Sequence, residues 1–102
     1  MSPVIGLGIV NVGTAGTPVP ISANPVVKNV HQMQLIPRSG NAGRVYIKIY
    51  NPATGLYTNA TADGLVASQP IEFTAYTSLL DITTFFVDAD TSGDGITGFV
   101  IY

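Results

Sequence analysis

The residues best placed for chemistry lie near the end of the chain: Asp88-Ala89-Asp90-Thr91-Ser92-Gly93-Asp94-Gly95. The spacing of Asp88, Asp90 and Ser92, followed by Gly93 and then Asp94, matches the start of a calcium loop. Such loops place oxygens at positions 1, 3 and 5 and a glycine at 6. Calcium takes six to eight oxygens, so the closing bidentate carboxylate matters. The twelfth position is Phe99, which cannot ligate, and the flanking segments read as strands rather than helices. The set Asp88, Asp90, Ser92 and Asp94 is therefore an incomplete cation site. The competing reading is a hairpin tip, in which Asp and Gly supply turn geometry and the acidic side chains cap amides. That reading fits better, and no metal or cofactor is expected.

Other candidates are thinner. His31 is the single histidine, and there is no cysteine and no G-x-S-x-G element. A nucleophile–base pair has no support, and His31, in register with Met33 and Leu35, reads as an inward or interfacial side chain. Asp63, Glu72 and Asp81 are scattered, and without tryptophan they do not suggest a glycosidase pair. Pro37–Gly43 contains glycines but lacks the Gly-Lys-Ser/Thr ending of a phosphate loop, and it precedes a strand. Asn59-Ala60-Thr61 fits a glycosylation pattern, with no secretory signal to give it a route. No enzymatic activity is expected.

Five tyrosines are the more suggestive set. Tyr buries area at little entropic cost and keeps a hydrogen bond, which suits wet protein contacts. Tyr46 and Tyr50, interleaved with Arg44 and Lys48, form the best interface expectation on one strand face. The alternative is ordinary cross-strand pairing on a solvated face.

The elements that position these residues are strands. Val45, Ile47 and Ile49 alternate with Arg44, Tyr46, Lys48 and Tyr50, the clearest half-buried strand in the chain. Val30–Ile36, Ile71–Tyr76 and Thr84–Ala89 alternate likewise. Two runs are apolar on both faces: Val4–Val12, with Gly6 and Gly8, and Ile96–Tyr102. Such a strand is central in a core or covered by another subunit. Ile5, Leu7, Ile9, Phe99 and Ile101 are accordingly expected at an interface, through strand addition or arm exchange.

Turns are predicted at Gly13–Gly16, Asn24–Pro25, Pro37–Gly43, Asn51–Gly55, Asn59–Gly64 and Asp88–Gly95. A single helical turn is the most that Ser78–Ile82 can form. Short strands at this spacing predict an all-β, antiparallel β-sandwich or jelly-roll-like single domain over residues 1–102. The apolar start, Met1–Val10, reads as strand rather than as a targeting or membrane segment.

Charge bounds the partners. Charged residues are 10% of the chain, against roughly 25% in an ordinary domain. Mean hydropathy is +0.37. A domain of this mass exposes on the order of 5,500 Å², or about one charge per 550 Å². A surface that poor in charge is a poor colloid, and coverage by partner chains is the simplest remedy. The net charge of −2 and the scattered cations Lys28, Arg38, Arg44 and Lys48 exclude tight phosphate-backbone binding, so no nucleic-acid partner is expected.

Three stretches, in order, resemble small virion proteins of tailed phages. Ile9-Val10-Asn11-Val12-Gly13-Thr14-Ala15-Gly16-Thr17-Pro18-Val19 is similar to their "V-x-V-G-T…T-P-V" start. Gly40-Asn41-Ala42-Gly43-Arg44-Val45-Tyr46-Ile47 is similar to their "G-N-x-G-x-V-Y-V-G" strand. Phe86-Val87-Asp88-Ala89-Asp90-Thr91-Ser92-Gly93-Asp94-Gly95-Ile96 is similar to their closing "Y-V-D-A-D-x-x-G-D-G-V" hairpin. Lys48 stands where the family usually has glycine, and Pro52–Gln69 is only loosely similar. The resemblance implies a non-enzymatic β-sandwich virion component. Capsid decoration, or cement, proteins of the phage head are of this type. The implied partners are the major capsid protein and copies of the chain itself, a homo-oligomer such as a trimer, made in the host cytoplasm and with no membrane. A neck, tail or fibre-attachment subunit is the runner-up. A carbohydrate-binding β-sandwich for host attachment is a third reading, which needs exposed aromatic platforms such as Tyr57.

Overall fold

The computed structural model describes residues 4–21, 29–61 and 63–102. The turn expected at Asn24–Pro25, and Lys28, lie outside the described residues. The described chain forms β1 (Val4–Gly6), β2 (Val10–Asn11), β3 (Val19–Pro20), β4 (Asn29–Val30), β5 (Gln32–Pro37), β6 (Val45–Asn51), β7 (Leu56–Asn59), β8 (Ile71–Thr74), β9 (Leu80–Asp81), a 3-10 turn (Ile82–Thr84), β10 (Phe85–Ala89) and β11 (Gly95–Ile101). The one-turn helix thus falls slightly later than Ser78–Ile82, because the Asp81 carboxylate caps it by accepting the Thr83 amide.

The pairings are nested. β6 pairs with β7, β5 with β8, β3 with β10, and β1 and β2 with β11, all antiparallel. These four nested pairs fall alternately into two sheets, ordered β1-β11-β5-β8 and β3-β10-β6-β7, with β2 continuing β1 along β11 and β4–β9 forming a separate two-stranded ladder between them in the nesting. A long hairpin rolled in this way is a jelly roll. The roll is driven by the alternation. Met33 and Leu35 on β5, Val45 and Ile47 on β6, Val87 on β10, and Ile96 and Val100 on β11 are buried in one shared core. Each ladder has one apolar face, and facing sheets hide both.

Two breaks in the alternation decide which residues face solvent. The first is in the N-terminal run. Val4, Ile5 and Gly6 pair with Ile101, Val100 and Phe99, whereas Val10 and Asn11 pair with Ile96 and Gly95. Leu7–Ile9 therefore oppose only Thr97 and Gly98. This is a one-residue bulge, with Gly8 at φ 73° taking the left-handed conformation. The bulge reverses parity. Ile5 and Leu7 pack on the core before it, Val10 and Val12 after it, while Val4 and Ile9 are exposed. The apolar content of both apparent faces is thus mostly absorbed within the domain. Ile5 and Leu7, expected at an interface, instead pack against the core.

The second break is at His31. Val30 is buried in the β4–β9 ladder, and Met33 is buried in the larger sheet. Between them the chain changes ladders, and His31 is turned outward. Its expected face with Met33 and Leu35 is not kept, because that step uses one extra residue.

β11 lies inside its sheet, with β1 and β2 on one side and β5 on the other. Ile96–Tyr102 is therefore no exchangeable arm: its backbone bonds are spent within the domain. Phe99 and Ile101 are half-buried on the outer face, opposite Gln34 and Gln32. The approach of β11 to β5 is close at Gly98, where an added Cβ would stand 2.1 Å from the Gln34 carbonyl oxygen.

Candidate functional site

The oxygens of the Asp88–Asp94 hairpin are given to protein partners. Asp94 is buried, and its two carboxylate oxygens accept the amides of Ala42 at 3.0 Å and Gly43 at 2.8 Å. Asn41 completes the clamp: its side chain donates to the Gly95 carbonyl and accepts from the Gly95 amide. Asp88 Oδ1 accepts from Gly16 at 2.9 Å, and Ser92 Oγ accepts from Ala15 at 2.9 Å. Asp90 Oδ2 accepts from the Tyr46 hydroxyl at 3.0 Å. The four candidate calcium ligands thus hold two other loops and a strand. No group of three or more His, Cys, Asp or Glu among the described residues is arranged to hold a metal.

Residues of the 9–19, 40–47 and 86–96 stretches meet at this end of the roll. The 13–16 turn, the 38–44 loop and the 90–94 tip are joined to one another by these bonds. Arg38 Nη1 also donates to Asn11 Oδ1 at 2.8 Å. Their residue pattern is explained by loop closure, which specifies the fold rather than a partner.

The outer face of the β3-β10-β6-β7 sheet carries four of the residues expected to be interfacial. Arg44 is exposed, and its guanidinium donates to the Asp63 carbonyl. Tyr46, Lys48 and Tyr50 are half-buried by their cross-strand neighbours. Lys48 lies 3.6 Å from Asp88. The hydrogen bond to Asp90, aided by partial desolvation and the Asp90 charge, raises the Tyr46 phenol above its ordinary 10.0. Tyr50, Tyr57 and Phe86 form a three-ring cluster with centroids 5.1, 5.9 and 5.3 Å apart. The strand face is therefore cross-linked within the chain, and Tyr57 is its most accessible ring, 41% exposed.

Phe86 and Asn59 belong to this face; sequence reasoning placed neither of them there, and named Asn59 only within a glycosylation pattern. The signal for Phe86 was its parity: it alternates with buried Phe85 and Val87 and must point out. Asn59 had no such signal, since only the register Lys48↔Asn59 brings it here. In the same tripeptide Thr61 is buried, and its hydroxyl accepts the Ile47 amide in place of a ladder carbonyl.

His31 lines a hollow with Ala75, Tyr76, Thr77, Ser78 and Leu79. Tyr76 is 93% exposed and Leu79 46%. Val4 pairs with Ile101, whose carbonyl accepts the His31 amide, so Val4 lies close by. Leu56, also exposed, closes the β6–β7 hairpin opposite Asn51. β6 runs from the charged loops at Val45 to Asn51. These apolar side chains therefore lie toward the end opposite Arg38, Arg44, Asp63 and Asp94.

No protein-family model, no curated protein and no solved structure matches this chain. What the structure defines is an all-β jelly-roll domain. No helix among the described residues is long and apolar enough to cross a membrane.

Proposed function

We propose that the chain is a structural subunit of a phage particle, and within it a capsid decoration protein that clamps neighbouring copies of the major capsid protein. The observation that carries this reading is the surface. The domain exposes 5606 Å² with few charges, and Val4, Leu56, Tyr76 and Leu79 are exposed toward one end. Scattered apolar side chains are ordinary, but several toward one end, on a chain this poor in charge, favour a covered surface. The ordered likeness of three stretches to virion proteins supports the phage setting. The jelly roll agrees with it only as an analogy, since viral capsids, lectins and cupins share that architecture.

In this reading the end with Tyr76 and Leu79 faces the shell, and copies of the chain associate as a homo-oligomer such as a trimer. Each contact is modest. Repetition over a lattice makes opening costly, because linked contacts must fail together. The runner-up is a neck, tail or fibre-attachment subunit. Quantitative mass spectrometry of purified particles separates the two: a copy number that scales with capsid subunits supports cementing, and one fixed at a single ring supports the runner-up. Particles lacking the chain are expected to release their genome at a lower temperature. An unchanged release temperature overturns the clamp.

A further inference from the structure

The outer face of the β3-β10-β6-β7 sheet has two halves that meet at Lys48. On one side stand Tyr50, Tyr57 and Phe86. On the other lies a hollow of about 350 Å³, bounded by the 15–16 turn, Tyr46, Lys48, Asn59 and Asp88. The register makes them neighbours: Lys48 sits between Phe86 on β10 and Asn59 on β7, and Tyr50 is opposite Tyr57. A space of that size lies at the small end of ligand sites.

We propose that this face binds a neutral pyranose sugar, stacked on Tyr57 with its hydroxyls turned toward Asn59 and Lys48. Tyr57 offers the exposed ring. Phe86 meets it edge-on at 5.3 Å and Tyr50 leans on it at 5.1 Å, so its orientation is largely set before a ligand arrives. A sugar has an apolar C–H face and a rim of hydroxyls. It needs a ring beside donors and acceptors, which is the arrangement here. The exposed Asn59 amide supplies both, and the Lys48 ammonium, 3.6 Å from Asp88, carries three donors. The hollow itself is walled by a turn held in place by Asp88 and Ser92.

Charge selects among sugars. Asp88, 3.6 Å from Lys48, and Asp90 both line the hollow, against the single cation of Lys48. The net negative surroundings disfavour sulfated, phosphorylated and carboxylated glycans. The site lies on the outer face of this sheet and uses none of Val4, Leu56, Tyr76 or Leu79, so the proposal goes beyond the cement role and does not depend on it.

Affinity electrophoresis of the full chain through gels containing dextran, mannan or galactan tests this, with heparin as the acidic control. Retardation in at least one neutral gel and none in heparin is expected. Tyr57→Ala should weaken the retardation at least about tenfold. Asn59→Ala should weaken it as well, which covers the case in which Tyr57→Ala fails to fold by circular dichroism. Tyr76→Ala, which removes an exposed ring elsewhere, should migrate like the parent chain. Free migration in all three neutral gels overturns the proposal. So does retention by heparin alone, or an equal loss from Tyr76→Ala. Capsid occupancy is measured separately, so failure here leaves the virion reading standing.

Discussion

Asp94 Oδ2 accepts the Gly43 amide at 2.8 Å across 51 positions of sequence. With the second bond to Ala42, this carboxylate closes the loop between β5 and β6 onto the β10–β11 hairpin. Hydrogen bonds to a charged, buried acceptor are among the stronger ones, and removing the acceptor strands two amides. Asp94→Ala is expected to cost about 2–4 kcal/mol, read as a lower urea midpoint with an unchanged slope. Asp63→Ala, on an exposed loop residue whose side chain makes none of these bonds, should lie within about 0.5 kcal/mol of the parent.

The calcium-like spacing makes a second prediction. Asp88, Asp90, Ser92 and Asp94 already accept from Gly16, Tyr46, Ala15 and the 42–43 amides. A ligand that bound only the folded state would raise the melting temperature. Millimolar calcium chloride and EDTA are therefore expected to give the same thermal melt. A clear rise with calcium would show that these side chains leave their partners for an ion.

Tyr46 gives stability a dependence on alkaline pH. Its phenol titrates above the ordinary 10.0 because Asp90 accepts its proton-bearing hydroxyl. The folded state then holds this proton more tightly than the unfolded chain. The stabilisation is complete below pH 10 and is lost as pH rises through the folded-state value. Ultraviolet titration should show one tyrosine ionising later than an unperturbed phenol. Asp90→Asn should bring it back toward the ordinary range, and Tyr46→Phe should abolish that component.

Glycine at 98 is required by strand approach. A Cβ there would meet the Gln34 carbonyl at 2.1 Å, whereas one at Gly13 meets nothing within 4 Å. Gly98→Ala is expected to cost about 3 kcal/mol or more, since backbone must move in the middle of a sheet. Gly13→Ala should be neutral or mildly stabilising. Thermal denaturation of the two variants distinguishes a packing requirement from a general dislike of substitution.

The apolar end should matter to assembly and not to folding. Tyr76→Ser with Leu79→Ser removes two exposed side chains. It should leave monomer stability within about 0.5 kcal/mol while lowering occupancy on particles. Full occupancy by the double variant would move the docking surface elsewhere.

The alternation in Val45–Ile49, Ile71–Phe73 and Phe85–Ala89 was enough to set the inward faces of β6, β8 and β10. The glycine- and asparagine-rich turns were enough to space the strands. Both are local properties: a period of two and a turn's backbone geometry are written in neighbouring residues. Composition likewise set the low surface charge. The parity reversal at Gly8, the outward turn of His31, the five loop oxygens bound to three distant segments, and the meeting of Tyr57, Phe86 and Asn59 were decided only by the tertiary structure. Each depends on which strands pair and in what register. Alternation says which way a side chain points, and it is silent on what stands opposite.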